Sequence, residues 1–338
     1  MAPRTPCGSP STSAGGPAAT LMWDSMTART RRRPVAARRD PYAEVTARIV
    51  AALERGTVPW RHPWRARGLR NAVSHRPYRG INLLVLSLTS MEAGYDDARW
   101  LTFRQAEQLG GHVRRGEHGT RVVFWKWPPR DEDRNSDSPD ADRSPALPLM
   151  RLYTVFNVAQ CEGLTLPDPE SGGEFDPLTR AEAIVAGYAD GPHVFHDGES
   201  AYYIPSRDEV HLPPLGAFRD VDGYHATLFH ELAHSTGHPS RLYREGYQES
   251  APFGSPVYSR EELVAEFAAA FLCQEAGVDA SRLDQSAAYI ASWLRALEDD
   301  RRLAVAAAGQ AQRAVDHILG RDPQAAITPV PEEEHADV

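Results

Sequence analysis

His230-Glu231-Leu232-Ala233-His234 is the stretch on which the reading of this chain turns. It matches H-E-x-x-H. On a helix, residues four apart share a face, so both imidazoles can reach one metal ion. A zinc ion held there lowers the pKa of a water to about 7, and the glutamate after the first histidine is placed to take its proton as general base. Leu228, Phe229 and Leu232 supply an apolar side that would bury the helix, and Gly237 is a natural stop.

A catalytic zinc site takes three protein ligands and keeps one position open. His238 continues the spacing of four, but the two steps from His230 to His238 span ~12 Å. One ion cannot bridge them unless the helix breaks at Gly237. A metzincin would place histidine where Ser240 stands. The better source is Glu261-Glu262-Leu263-Val264-Ala265-Glu266-Phe267, whose apolar residues send a helix into the core. Glu262 and Glu266 fall on one face, and buried carboxylates are costly unless paired or bound to metal. Glu262 is therefore expected as the third ligand, with Glu266 its rival and the other carboxylate orienting a ligand. Glu261 fits an acidic helix start favoured by the dipole. Tyr258 either steadies an oxyanion or packs in the core.

Outward from this motif, the chain divides by charge. The formal net charge is −9 over 338 residues, but residues 1–130 carry 22 Lys and Arg against 9 Asp and Glu, and residues 131–338 carry 15 against 37. A basic front and an acidic back suggest two modules with different partners. Hydrophobic residues make up 41% of the chain, enough for real cores. No run of 18 apolar residues could span a membrane. Three scattered cysteines (Cys7, Cys161 and Cys273) exclude a disulfide framework and a thiolate zinc site, and fit a reducing, cytoplasmic setting.

Six of the seven tryptophans lie in the basic front half, interleaved with arginines and with Lys126, the only lysine. Cations follow a phosphate backbone and aromatic faces stack unpaired bases, at ~1–3 kcal/mol per base. Single-stranded DNA is the partner this mixture suits, although the same residues could form a core under a solvated face. The candidate DNA contacts are Trp60, Trp64, Arg79, Asn82, Trp100, Arg115 and Lys126.

The expected fold class is α+β in two domains. Residues 1–40 read as a disordered basic tail and 41–165 as the DNA-binding domain, with a mobile loop at 128–148 between two strands. Residues 170–319 read as the metallopeptidase domain, a small sheet with several helices, and 320–338 as a disordered acidic tail. Ile81–Leu88 is apolar enough for either a helix or a buried strand.

Several blocks in this order resemble the ArdC-type antirestriction proteins. In front they are Gly56-Thr57-Val58-Pro59-Trp60, Tyr78-Arg79-Gly80-Ile81-Asn82, Trp100-Leu101-Thr102-Phe103 and Val155-Phe156-Asn157. Behind they are the H-E-x-x-H motif, Thr236-Gly237-His238, Arg241-Leu242, Arg244 and Glu261–Glu266. The resemblance covers roughly residues 41–318. It implies a single-stranded-DNA-binding domain followed by a zincin-like polyvalent-protein metallopeptidase domain, and a mobile-element role in protecting incoming DNA from restriction. The expected activity is hydrolysis of a protein substrate at a gluzincin-like zinc site. The alternative is a DNA-protecting protein whose zinc domain is structural. A metal-dependent nuclease fits less well, because many nucleases use carboxylate-rich, two-metal sites.

Overall fold

The computed structural model describes residues 40–61, 68–126, 149–166, 176–244, 255–282 and 287–322. The expected mobile loop at 128–148 lies outside the described residues, as do the expected tails at 1–40 and 320–338 except for Asp40 and residues 320–322.

The front half opens with α1 (Pro41–Glu54). Asp40 caps it by accepting from the Tyr42 N–H, and Pro41 sits at the first turn, where its missing N–H costs nothing. The apolar run left open above is helix α2 (Ile81–Ala93), which starts after Gly80 and stops at Gly94 in the left-handed region. The short α3 (Phe103–Gln108) is fixed by a reciprocal Thr102–Gln105 capping box. A four-stranded sheet runs beside them in the order β1 (Arg70–Asn71), β2 (Arg99–Leu101), β5 (Leu149–Asn157), β4 (Thr120–Lys126). Strands β4 and β5 pair antiparallel over seven residues, from Thr120 opposite Val155 to Lys126 opposite Leu149. The stretch 127–148 thus joins two neighbouring strands. Two-residue strands β3 (His112–Val113) and β6 (Cys161–Glu162) form a separate ladder.

The back half begins with α4 (Pro177–Gly187), capped by Asp176. A three-stranded sheet follows in the order β7 (His193–His196), β9 (Glu209–Leu212), β8 (Tyr202–Ile204), with β7 and β9 parallel and β8 antiparallel. Then come α5 (Val221–Ser235), α6 (Pro256–Ala276), α7 (Ala287–Asp299) and α8 (Leu303–Ile318). The whole is α+β.

Helix α6 is the centre. Every residue from Leu263 to Cys273 is buried, and four of them are alanines, small enough to let α5 and α8 pack closely. The glutamates of this helix are therefore carried into the interior. The core does not divide at the expected domain boundary. Residues of α1, α2 and the β4–β5 hairpin belong to the same buried cluster as α5, α6 and α8. Trp60, from the turn Pro59–Arg61, is 2% exposed and packs edge-on against Phe267 at 4.7 Å and Trp293 at 5.4 Å. Among the described residues, no helix is long and apolar enough to cross a membrane.

Candidate metal centre and nucleic-acid residues

Helix α5 is held at both ends. Asp220 accepts from the Gly223 N–H at the start. At the other end the helix runs to Ser235 and is capped by Thr236, so Gly237 is the first residue beyond it. Gly237 also makes room: a side-chain carbon there would lie 3.0 Å from the Arg244 Nη2 and 3.2 Å from the His234 carbonyl oxygen.

One turn apart on this helix, His230 and His234 bring their Nε2 atoms to 3.0 Å of each other. Glu262 of α6 completes a triangle, with Oε2 3.5 Å from His230 Nε2 and Oε1 3.6 Å from His234 Nε2. Tetrahedral bonds of 2.0–2.1 Å would separate ligand atoms by about 3.3 Å. The three edges match a ligand set converging on one divalent ion. Two imidazole nitrogens and a carboxylate oxygen are also the right donors for one. Glu266, the rival, faces the other side of His230, its Oε1 3.5 Å from Nδ1. His238 turns away and bonds Ser240, so it takes no part.

Each imidazole has a carboxylate behind it, hydrogen-bonded at His234 and at ion-pair distance at His230. Glu261 Oε1 lies 3.4 Å from His234 Nδ1, and Arg244 holds that carboxylate through Nε at 3.0 Å and through Nη2. Glu266 stands behind His230, and Trp60 donates to its Oε2 at 3.2 Å. Carboxylates behind metal-ligating histidines fix ring orientation and raise basicity. Glu261 is thus more than a helix-start charge. The sign of its role is its neighbour: two glutamates in sequence on a buried helix must point to different partners.

Charge follows this geometry. Burial alone would raise the Glu262 pKa, but His234, His230 and a hydrogen bond from Tyr258 outweigh it and hold the carboxyl at about 2. Burial opposes charge on His230 as well, yet Glu262, Glu266 and Glu231 lift its pKa to about 9. Glu262, Glu266 and Glu231 thus put negative charge around the imidazole, the surroundings a divalent cation needs. Glu231 is 7% exposed, and burial pushes its carboxyl up while the two histidines pull it down. The Tyr258 hydroxyl lies 3.2 Å from that of Tyr289 and bonds Glu262, so it belongs to the rim of the site.

The candidate DNA contacts fare differently. Trp60 and Trp100 are buried, at 2% and 0% exposure, and offer no face to a base. Trp100 pairs with Asn157 in the sheet and stacks edge-on with Tyr95. Asn82 is buried too, because its side chain exchanges two hydrogen bonds with the Val123 backbone, at 2.6 and 2.7 Å. These three are structural. Arg79 is partly exposed and paired with Asp316 of α8. Arg115 is exposed. Trp64 and the side chain of Lys126 lie outside the described residues. Among the described residues, the exposed aromatics of the front half are Phe103, Trp125 and Tyr153.

H-E-x-x-H on one helix, with a glutamate of the next helix facing both histidines, is the arrangement of a zincin-like metallopeptidase domain. Residues 179–310 match the model of that description, and residues 39–156 match the N-terminal domain of anti-restriction factor ArdC. The chain is similar to the protein y4eC of Sinorhizobium fredii (strain NBRC 101917 / NGR234), at 38% identity over 286 residues, 82% of this chain and 91% of the relative. It is also 37% identical over 296 residues to DNA primase TraC of Escherichia coli, but spans only 27% of that protein. Crystal structures of the antirestriction protein ArdC from plasmid R388 superpose at 38% identity. The Mn(II)-bound form gives a TM-score of 0.66, covering 86% of this chain and 98% of that one. The metal-free form gives 0.64, covering 83% and 97%. The chain belongs to the ArdC antirestriction family.

Proposed function

We propose that this protein is a zinc-dependent peptidase whose front domain holds single-stranded DNA, and that it serves a plasmid or other mobile element by shielding incoming DNA from restriction. The observation that carries the hydrolytic half is the convergence of His230, His234 and Glu262 within 4.8 Å, on helices that also bury Glu231. His230 and His234 would hold the ion through Nε2 and Glu262 through an oxygen. Zinc suits this set, and manganese, seen in the R388 relative, accepts the same nitrogen and oxygen donors. When bound, the ion supplies Lewis acidity to a carbonyl and to water. Glu231, its carboxyl raised by burial, takes a proton at a carboxylate oxygen and returns it to the leaving amine. The DNA-binding half is supported by the basic front and by exposed Phe103, Trp125, Tyr153, Arg104 and Arg115, which suit base stacking and phosphate pairing.

The test is Glu231→Gln in the full chain. Bound zinc is expected to stay stoichiometric, while hydrolysis of protein substrates falls by about 10²-fold or more. Gel shifts on single-stranded DNA are expected to be unchanged and to weaken steeply with salt. Zinc- or manganese-loaded wild type that cleaves no protein, with or without DNA, overturns the peptidase. Antirestriction that survives Glu231→Gln favours a binding protein with a structural metal.

A further inference from the structure

The two histidines of the metal centre are braced by two carboxylates, and each carboxylate is braced in turn by a cation. On the His234 side every part comes from the back half: Glu261 from α6 and Arg244 from the turn after α5. On the His230 side the outermost parts come from the front half. Glu266 sends Oε1 towards His230 Nδ1 at 3.5 Å and Oε2 towards Trp60 Nε1 at 3.2 Å, with Arg61 Nη2 also 3.5 Å from Oε2. Glu266 is 4% exposed, so bulk solvent scarcely reaches these oxygens and the protein contacts carry most of the compensation. A buried carboxylate without a donor or cation is costly, and it would turn or take up a proton. Trp60 is not free to wander: Phe267 and Trp293 clamp its ring edge-on.

We propose that Trp60 and Arg61, residues of the DNA-binding module, are positioning residues of the metal centre, acting through Glu266 on the orientation and basicity of His230. This rests on the metal reading of His230, His234 and Glu262. It gives the buried tryptophan a task other than base stacking, namely donating Nε1–H to one oxygen so that the other stays aimed at the imidazole. It also means that the metal site is finished by a segment 169 positions upstream of His230. Any ligand of the front domain that displaced the Pro59–Arg61 turn would change the affinity for the ion, and by linkage the ion would change the affinity for that ligand.

The experiment is a zinc titration of the full chain against a competing chelator, for wild type, Trp60→Phe, Glu266→Gln and the double variant. Phenylalanine keeps an aromatic ring in the clamp and deletes the donor. Loss of an outer partner of a ligating histidine costs 10–100-fold in metal affinity. Trp60→Phe is expected to weaken zinc binding by about tenfold. The double variant is expected to bind no more weakly than Glu266→Gln, because both changes break one chain of contacts. Cobalt-substituted Trp60→Phe and Glu266→Gln are expected to share one shift in their visible bands. If Trp60→Phe does not fold, judged by near-ultraviolet circular dichroism without metal, Arg61→Gln enters the same cycle. Zinc affinity in the variant within twofold of wild type overturns the proposal, as do losses that simply add with Glu266→Gln. Wild type that takes up no zinc and no manganese overturns the metal centre itself, and this inference with it.

Discussion

Arg244 donates through Nη2 to the carbonyl oxygens of Ala233 at 3.0 Å and His234 at 3.3 Å, while its Nε holds Glu261 at 3.0 Å. One guanidinium therefore closes the last turn of α5 and neutralises the carboxylate behind His234. Its side chain is 6% exposed. Lysine could not imitate the planar fork that serves several acceptors at once. Arg244→Ala leaves Glu261 buried without its cation, and breaking such a pair costs about 3–5 kcal/mol. The expected result is that loss in urea unfolding, with zinc affinity down by about 10–100-fold in the same sample. Unfolding within 0.5 kcal/mol of wild type would show that Glu261 finds another partner.

At the scale of elements, Arg241 ties the end of α5 to the small sheet. It bonds both oxygens of Asp208, in the turn between β8 and β9, at 2.8 and 2.6 Å, and the Ser235 carbonyl at 2.9 Å. Partial burial would raise the Asp208 pKa, but Arg241 and Tyr203 outweigh it and the carboxyl is held below its usual value. A folded-state pKa below the unfolded one stabilises the fold above about pH 4, and that contribution fades as pH falls through the lowered value. Asp208→Asn is expected to cost about 3 kcal/mol near neutrality and much less at the acid end, leaving a flatter pH profile of urea midpoints. An unchanged slope between the two profiles would remove Asp208 from the acid transition. The sequence displayed these long elements well. The apolar side of the H-E-x-x-H helix and the apolar residues after Glu262 marked α5 and α6, and the spacing of Glu262 and Glu266 already offered both as carboxylates for the two histidines, whereas Glu261 read only as a helix-start charge. Two-residue strands such as β1 and β3 left no trace, because pairing with distant residues creates them. Trp60, Trp100 and Asn82 misled for a related reason. Composition records that an aromatic or polar side chain exists, and only packing decides whether it meets a base, a ring or a backbone amide.

For the whole molecule, the two family domains share one interior. Besides Trp60, the Thr46 hydroxyl of α1 donates to the Arg301 carbonyl at 2.8 Å, and the Gly80 N–H donates to Gln312 of α8 at 2.9 Å. Arg79 pairs there with Asp316, whose carboxyl burial pushes upward. Around these polar ties the buried apolar cluster runs through both halves without a break, unlike the interface between independent domains. Residues 40–322 are expected to unfold in urea as one unit, with tryptophan fluorescence and circular dichroism giving the same midpoint. Two separated transitions would mean that the halves hold together less firmly than their packing indicates.

The register of the β4–β5 ladder has an outcome for engineering. Lys126 and Leu149 sit opposite one another, so the polypeptide departs and returns at adjacent points whatever lies between. For any flexible connection between two fixed ends, doubling the length costs only about 0.6 kcal/mol. A change of length between these two positions is therefore expected to leave the seven-residue ladder in register, so an affinity tag spliced between them should keep the paired strands intact.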